Sequence, residues 1–448
     1  MYFELKKPDL SKIKERNLIQ SLSENSRNKE IIFDFVKKTF EPEYIYWDNV
    51  KYKEPAPVGI TKEELWKLVK IVRGSQSIKS PIKNKSGDNF KWIKIPCLEE
   101  FFHEIDMNTG GELFVRKSDI DKQNKQKLIS RGIMEEAIAS SQLEGAATSR
   151  QVAKRMLRDG RKPRNASEQM IVNSYLSMRE IEEKYKNEKM SLPLLLELHR
   201  MITNETKDDE GDRPRLRTDK DNIYVIDKAS GNIYHEAPKV DFVNKELKLL
   251  INFANDELET DSFVHPVIKA IMLHFWLGYL HPFTDGNGRL ARLLFYWYLI
   301  RKGYWAFVYL PISKIIKKSP NQYKMAYVYS EQDDNDLTYF IDYNIRKIKL
   351  AVRDFSEYLE KESWGNIRMK KAGELKYKLN ERQIYLLRYL SGDQEERTTQ
   401  KMHMNIYQIT KMTAGKDLNI LVQKGFLRPI KKGRNIYYYG TSKIKELF

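Results

Sequence analysis

The stretch His281-Pro282-Phe283-Thr284-Asp285-Gly286-Asn287-Gly288-Arg289-Leu290-Ala291-Arg292 stands between two strongly apolar runs, Ile268 to Leu280 and Leu290 to Ile300. Both runs have helical periodicity, so the twelve residues read as a tight turn feeding the N-terminus of a buried helix. Apolar residues at three- and four-residue spacing continue through Ile133 to Ile138, Leu194 to Ile202 and Val264 to Leu280. The segment from Asp119 to about Arg346 is therefore expected to be a helical bundle, which makes the chain mainly α.

The turn has the makings of an anion site. Gly286 and Gly288 lack Cβ atoms, so the backbone can curl and aim N–H groups at one point, and the following helix adds the positive end of its dipole. Arg289 and Arg292 lie three apart, on one face of the first helical turn, and guanidinium groups grip phosphate oxygens bidentately without losing charge. Asp285 supplies a hard oxygen suited to Mg²⁺, which keeps waters and bridges one carboxylate to substrate phosphates. His281 is the group able to accept a proton near neutral pH, and so is the expected general base. Taken singly, each feature has an ordinary structural explanation. Their conjunction within twelve residues points to phosphoryl or nucleotidyl transfer, which needs positioning, charge neutralisation and a base.

The string resembles the Fic (filamentation induced by cAMP) motif, His-x-Phe-x-[Asp/Glu]-Gly-Asn-Gly-Arg-x-x-Arg, at every fixed position. The resemblance covers about residues 119 to 346 and implies a Fic helical bundle with a β-hairpin flap. It implies protein adenylyltransferase activity, with AMP passing from ATP to a Ser, Thr or Tyr hydroxyl of a target protein or of the chain itself. It further implies that His281 activates the hydroxyl, Phe283 anchors the loop and Asp285 holds Mg²⁺. Gly286, Asn287 and Gly288 would cradle the phosphates, with Arg289 on the β-phosphate and Arg292 on the γ-phosphate. Glycine at 288 resembles the AMP-transferring majority rather than the phosphotransferases with lysine there. Phosphoryl and UMP transfer remain as other reactions for the same site, and a nucleotide-sensing role without product remains as another class. His265 and His274 show no metal spacing and are expected to be structural.

Upstream, Ser140-Ser141-Gln142-Leu143-Glu144-Gly145 closes an amphipathic helix expected from about Gly132. Ser140 and Glu144 share a face and Gly145 can end the helix, so the carboxylate sits at a terminus where it can pair with an arginine. The string resembles the Fic inhibitory motif [Ser/Thr]-x-x-x-Glu-[Gly/Asn], which implies that Glu144 pairs with Arg292 and denies it to the γ-phosphate.

Asn222 to Ile226, with Tyr224, Val225 and Ile226, and Asn232 to Tyr234 are β-prone runs around the turn-rich Asp227 to Gly231. A hairpin is expected there, and its place before the loop resembles the Fic target-docking flap, whose edge would pair with an extended peptide. Gly211, Arg213, Arg215 and Arg217 compete for the family's preceding Gly-Arg positions.

The remaining chain divides into residues 1–118, with short helices such as Lys62 to Arg73 and a polar loop around Ser80 to Asn89, residues 119–350, and a C-terminal part at 375–448. That part starts with a helix capped by Asn380 and Gln383 and ended by Gly392. Tyr407 to Leu427 then reads as helix, turn, helix, with Leu418, Leu421 and Val422 inward and Gly425 at its end, followed by a hairpin turning at Lys432-Gly433. This resembles a small α+β winged helix-turn-helix domain. Exposed Lys416 and Asn419 with Lys432 and Arg434 are the expected DNA contacts, while use for protein contacts or dimerisation, including a homodimer, stays open. The alternative function is thus a DNA-binding regulator with a nucleotide-sensing Fic-like domain.

With 448 residues the chain has room for several folded units, and its net charge of +17 favours anionic partners. A single cysteine, Cys97, excludes an internal disulfide and a thiolate cluster, and is expected to be a small, partly buried residue. With no apolar run long enough to cross a bilayer and no targeting signal, a cytoplasmic location without a membrane partner is expected.

Overall fold

The computed structural model describes residues 1–13, 26–53, 60–109, 122–206, 215–227, 230–259, 262–391, 397–407, 409–433 and 435–447. The chain forms two compact units, Met1–Lys117 with Lys127–Val352, and Ser118–Gln126 with Arg353–Phe448. The architecture is mainly α.

Elements of the first unit include α1 (Lys62–Ser75), β1 (Ile78–Lys83), β2 (Asn89–Trp92), α2 (Lys122–Leu143), α3 (Arg150–Asp159), α4 (Ala166–Glu183) and α5 (Leu192–Thr203). There follow β3 (Tyr224–Ile226), β4 (Ile233–Glu236), α6 (Val240–Ala254), α7 (Pro266–Leu280), α8 (Asn287–Arg301) and α9 (Pro320–Gln332). Every residue of α7 from Val267 onward is buried, as is nearly all of α8. Helices apolar all round must be covered on all sides, so this pair is the centre, with α6 on α7 and α4 and α5 on α8. The start of α7 is set by Pro266 and by the His265 ring, which accepts from the Val267 amide at 3.2 Å. Buried His274 meets the Tyr323 hydroxyl at 2.8 Å.

Three expectations change. The polar loop around 80–89 shrinks to residues 84–88: the segments on either side pair antiparallel as β1 and β2, with Ile82, Phe90 and Trp92 buried and Phe90 packed on Phe275. Helix α2 begins at Lys122, ten residues before Gly132, which lies inside it because a Cβ there would overlap the Val308–Tyr309 backbone. Cys97 is exposed.

The second unit has α10 (Glu381–Ser391), β5 (Arg397–Thr398), α11 (Gln400–Tyr407), α12 (Lys411–Gln423), β6 (Leu427–Lys432) and β7 (Asn435–Gly440) in chain order. The antiparallel sheet has the order β5-β7-β6. Asn380 and Gln383 cap α10 reciprocally, at 2.9 and 3.0 Å; Gly392 lies outside the described residues. The helical pair sits earlier than expected: Tyr407 ends α11, and Thr410 caps α12 by accepting from the Thr413 amide. Gly415 is helical, and a Cβ there would come within 2.7 Å of Gln400. Leu418 and Leu421 are fully buried with Ile384, Leu387, Leu390 and Phe426.

Candidate active site

α7 stops because His281 takes left-handed angles, φ +43°, its amide closing on the Leu277 carbonyl at 3.1 Å. Such angles cost a non-glycine residue about 1–3 kcal/mol and persist where surroundings hold them. The bend brings the imidazole back over α7, where Nδ1 donates to the Gly278 carbonyl. With Nδ1 carrying the proton, Nε2 keeps the lone pair, which is the tautomer a base requires. Burial, assisted by neighbouring His235 and opposed by the Gly278 carbonyl, lowers the pKa to about 4, so the ring is neutral at neutral pH.

Beyond the base, Asn287 braces the turn: Oδ1 accepts from the Phe283 amide at 3.0 Å and Nδ2 donates to its carbonyl at 2.8 Å. The expected cradle residue thus shapes the loop with its side chain, leaving its backbone for a ligand. Phe283 is fully buried and stacks on His199, ring centres 3.7 Å apart, while His199 Nε2 donates to the Asp285 carbonyl at 2.8 Å. Gly286, at φ +80°, lies so near α5 that a Cβ would stand 2.9 Å from Thr203 Cγ2. His199 was not singled out from the sequence, although Leu195, Leu198, His199 and Ile202 form the buried stripe of α5. A titratable group in such a stripe was the available signal.

The two arginines have separate partners. Arg289 donates from Nη1 to the Ile202 carbonyl at 2.6 Å and from Nη2 to Asp285 at 3.2 Å; its buried Nε has no partner among the described residues. Arg292 donates from Nε to Ser140 Oγ at 2.9 Å, and from Nη2 to the Ser140 carbonyl at 3.0 Å and to Glu144 at 2.8 Å. Burial would lower the Arg292 pKa, but Glu144 with Tyr323 and Glu136 outweighs it and the pKa is raised. The same carboxylate lies against Gly288, where a Cβ would overlap it. Glu144 follows the last residue of α2, ahead of Gly145 at φ +101°. Buried Glu136, unremarked in the sequence, anchors that helix by accepting from the Ser313 amide and the Tyr296 hydroxyl, each at 2.9 Å, and from the Ser313 hydroxyl.

Asp285 has a side chain 47% exposed beside this turn. Among the described residues no group of three or more His, Cys, Asp or Glu could enclose a metal ion. Mg²⁺ held by one carboxylate and substrate phosphates needs no such cluster, so the donor set fits that ion. The orphaned Nε of Arg289 equally fits an incoming phosphate oxygen.

The hairpin pairs Tyr224 with Glu236, Val225 with His235 and Ile226 with Ile233, and leaves Tyr224 and Ile226 exposed. On the outer edge of β4, Phe3 donates to the Ile233 carbonyl at 2.8 Å and Ile233 to the Met1 carbonyl at 2.9 Å. Arg217 ties this segment to the loop, donating to the carbonyls of His281 at 2.7 Å, Leu280 at 3.4 Å and Pro238. Arg215 pairs with Asp221 instead; Gly211 and Arg213 lie outside the described residues. In the second unit Lys416 and Asn419 are exposed on α12 and Lys432 ends β6, while Arg434 lies outside the described residues. No helix among the described residues is long and apolar enough to cross a membrane.

The Fic/DOC family model matches residues 189–299. Protein adenylyltransferase fic-1 of Caenorhabditis elegans is 32% identical over 119 residues, 27% of this chain and 21% of the relative. Protein adenylyltransferase Fic of Nematostella vectensis is 32% identical over 121 residues, 27% of this chain and 25% of that protein. The chain thus spans between a fifth and a quarter of the length of these curated relatives. Among solved structures, a Fic family protein from Desulfovibrio desulfuricans G20 is 18% identical, with TM-score 0.49, covering 78% of this chain and 97% of that one.

Proposed function

Residues 189–299 form a domain of the Fic/DOC family, and from that premise we propose that the chain is a protein adenylyltransferase, moving AMP from ATP to a Ser, Thr or Tyr hydroxyl and restrained by Glu144. The observation that carries the reading is the place of one carboxylate: it rests on Arg292 and against Gly288, on the turn whose amides and arginines suit a triphosphate. Glu144 thereby mimics the anion it excludes.

In the released state the first turn of α8 takes the β- and γ-phosphates, with Arg289 and Arg292 as charge partners. Mg²⁺, held by Asp285 and the phosphates, would supply further neutralisation of the leaving pyrophosphate. His281 Nε2 takes the proton from the acceptor hydroxyl. The oxygen forms a bond to the α-phosphorus as the bond to the bridging oxygen breaks, and pyrophosphate leaves. The outer edge of β3, unpaired by any strand among the described residues, offers a surface for an extended acceptor segment. Protein names among the relatives support a protein target.

The test is the intact mass of the full chain, alone and with candidate targets, after incubation with ATP and Mg²⁺. Glu144→Gly is expected to add the mass of AMP and His281→Ala none. Addition of phosphate, or nucleotide binding without any product, would replace this reading by phosphotransfer or by nucleotide sensing.

A second reading concerns the C-terminal unit. Its helix-strand-helix-helix-strand-strand order, with sheet order β5-β7-β6, supports a winged helix, and exposed Lys416 and Asn419 on α12 support contact with DNA. Binding to duplex DNA that weakens steeply with salt is the expected result.

A further inference from the structure

We propose that His235 is a positioning residue for the reaction: from the flap strand it clamps the end of α7 to Glu331 and so holds the base and the flap in one register. The inference rests on the adenylyltransferase reading but on different contacts.

A helix end leaves its last four carbonyls without intrahelical donors. At the end of α7 those from Gly278 to His281 are all taken by side chains. Gly278 accepts from the His281 ring, Tyr279 accepts from His235 Nε2 at 2.8 Å, and Leu280 and His281 both accept from Arg217. Two of the three donors come from the flap segment, and Arg217 is a permanent cation at the negative end of the helix dipole.

The second nitrogen of His235 decides its charge. Nδ1 lies 2.7 Å from the Glu331 carboxylate, and Nε2 faces a carbonyl. Neither acceptor has a hydrogen to give, so both nitrogens donate and the ring is an imidazolium paired with Glu331. Burial opposes that charge, but Glu331 and the Tyr279 carbonyl prevail and raise the pKa. Three elements meet there: β4, the last turn of α7 and α9. The other charged or titratable groups around the ring are Lys85, which pairs with Glu236 at 3.5 Å, the Tyr279 side chain, and His281, whose ring centre is 5.8 Å away.

Two consequences follow. A fixed cation beside His281 adds to burial in keeping it unprotonated, with Nε2 open to the hydroxyl. His235 lies opposite Val225, just before the register of the hairpin shifts between Val225 and Ile226, and a slip of β4 by one residue would turn its ring to the opposite face. The contact with Tyr279 is therefore made in one flap register alone, and an acceptor segment on the flap is set against the base by that contact.

The experiment uses the full chain with Glu144→Gly, adding His235→Ala, His235→Gln or Glu331→Gln. NMR titration of the His281 ring without nucleotide needs no activity. Its midpoint should rise toward the ordinary histidine value in both His235 variants, since each removes the cation. In steady-state transfer, His235→Ala should lower kcat/KM for the acceptor about tenfold, with KM for ATP unchanged. Glutamine restores one donor, so it should recover acceptor KM while leaving the titration shifted. An unaltered His281 titration with unaltered acceptor KM in His235→Ala overturns the proposal, as does an equal loss of ATP and acceptor binding. Should His235→Ala not fold, His235→Gln decides by the His281 titration, whose failure to shift overturns the proposal, and Glu331→Gln, which removes the carboxylate that holds the imidazolium, should shift it in the same direction. If the Glu144→Gly parent transfers nothing, the activity reading fails, and the His281 titration still decides whether His235 controls the ring.

Discussion

Arg289 and Arg292 leave the same turn of α8, yet their anionic partners differ in kind. Asp285 lies four residues from Arg289 and belongs to the turn itself; Glu144 lies 148 residues from Arg292 and arrives on another helix. A partner built into the loop can shift from arginine to metal without leaving the site. A partner delivered from afar can be withdrawn altogether, while Arg292 keeps its two bonds to Ser140. The contrast teaches that the side chains of the loop are already in place with Glu144 on Arg292, so that under the proposed function activation would need the removal of one anion rather than the building of a pocket.

The largest effect tests whether assembly without the base is enough. On the Glu144→Gly background no carboxylate from α2 competes with phosphate for Arg292, so His281→Ala should leave ATP binding near its parent value and lower transfer about 10²–10⁴-fold. Radiolabelled AMP incorporation beside calorimetric ATP titration separates the two quantities; equal losses in both would mean that His281 shapes the nucleotide site.

Next in size is the withdrawal itself. A hydrogen bond to a charged group is worth about 1.5–3 kcal/mol, so removing Glu144 should raise the transfer rate roughly 10–100-fold. Arg292 is 4% exposed and loses a partner, so the melting temperature should fall by a few degrees without ATP and recover with it. A faster enzyme with no change in ATP affinity or in melting would sever activation from the Arg292 pair.

The loop and the Glu144 partner of Arg292 were legible because these features are local strings: His281 to Arg292 needs one turn, and Ser140 to Glu144 needs one helical face. What it withheld depends on distant neighbours. His199 reads as one polar letter in an apolar stripe until Phe283 and the Asp285 carbonyl come to lie against it. Glu136 is one acid among 62 until Ser313 and Tyr296 surround it. Gly132 suggested a helix start, since a glycine needed for close approach and one needed for a bend look the same in sequence. The alternation in β1 and β2 was hidden by the lysines between Ile82, Phe90 and Trp92.

Gly288→Ala narrows the comparison further. Its methyl group would occupy the space of the Glu144 carboxylate, which an oxygen of ATP is proposed to share. Alanine should therefore displace the brake and yet weaken ATP binding, about tenfold by isothermal titration, with or without Glu144. An alanine variant as active as Glu144→Gly would place the phosphates elsewhere.

The smallest effect concerns protons behind Arg292. His274 is buried next to this arginine, and burial first, then the guanidinium charge, push its pKa down to about 3; that of His281 falls to about 4. Both rings are neutral in the folded protein and titrate near 6.5 when unfolded. Below that value the unfolded chain binds protons the folded one refuses. The stability they contribute is thus complete above pH 6.5 and drains as pH falls toward 4, at most about 1.4 kcal/mol per pH unit for each ring. His235, with its raised pKa, contributes in the opposite sense: its part is whole below 6.5 and fades as pH climbs through the folded value. Denaturant melts at pH 5 and 6.5 should differ less in His274→Gln than in the parent, because one proton has been taken out of the balance. An undiminished difference would mean that His274 can be protonated beside Arg292, and that the interior behind this buried arginine is less hostile to charge than its packing implies.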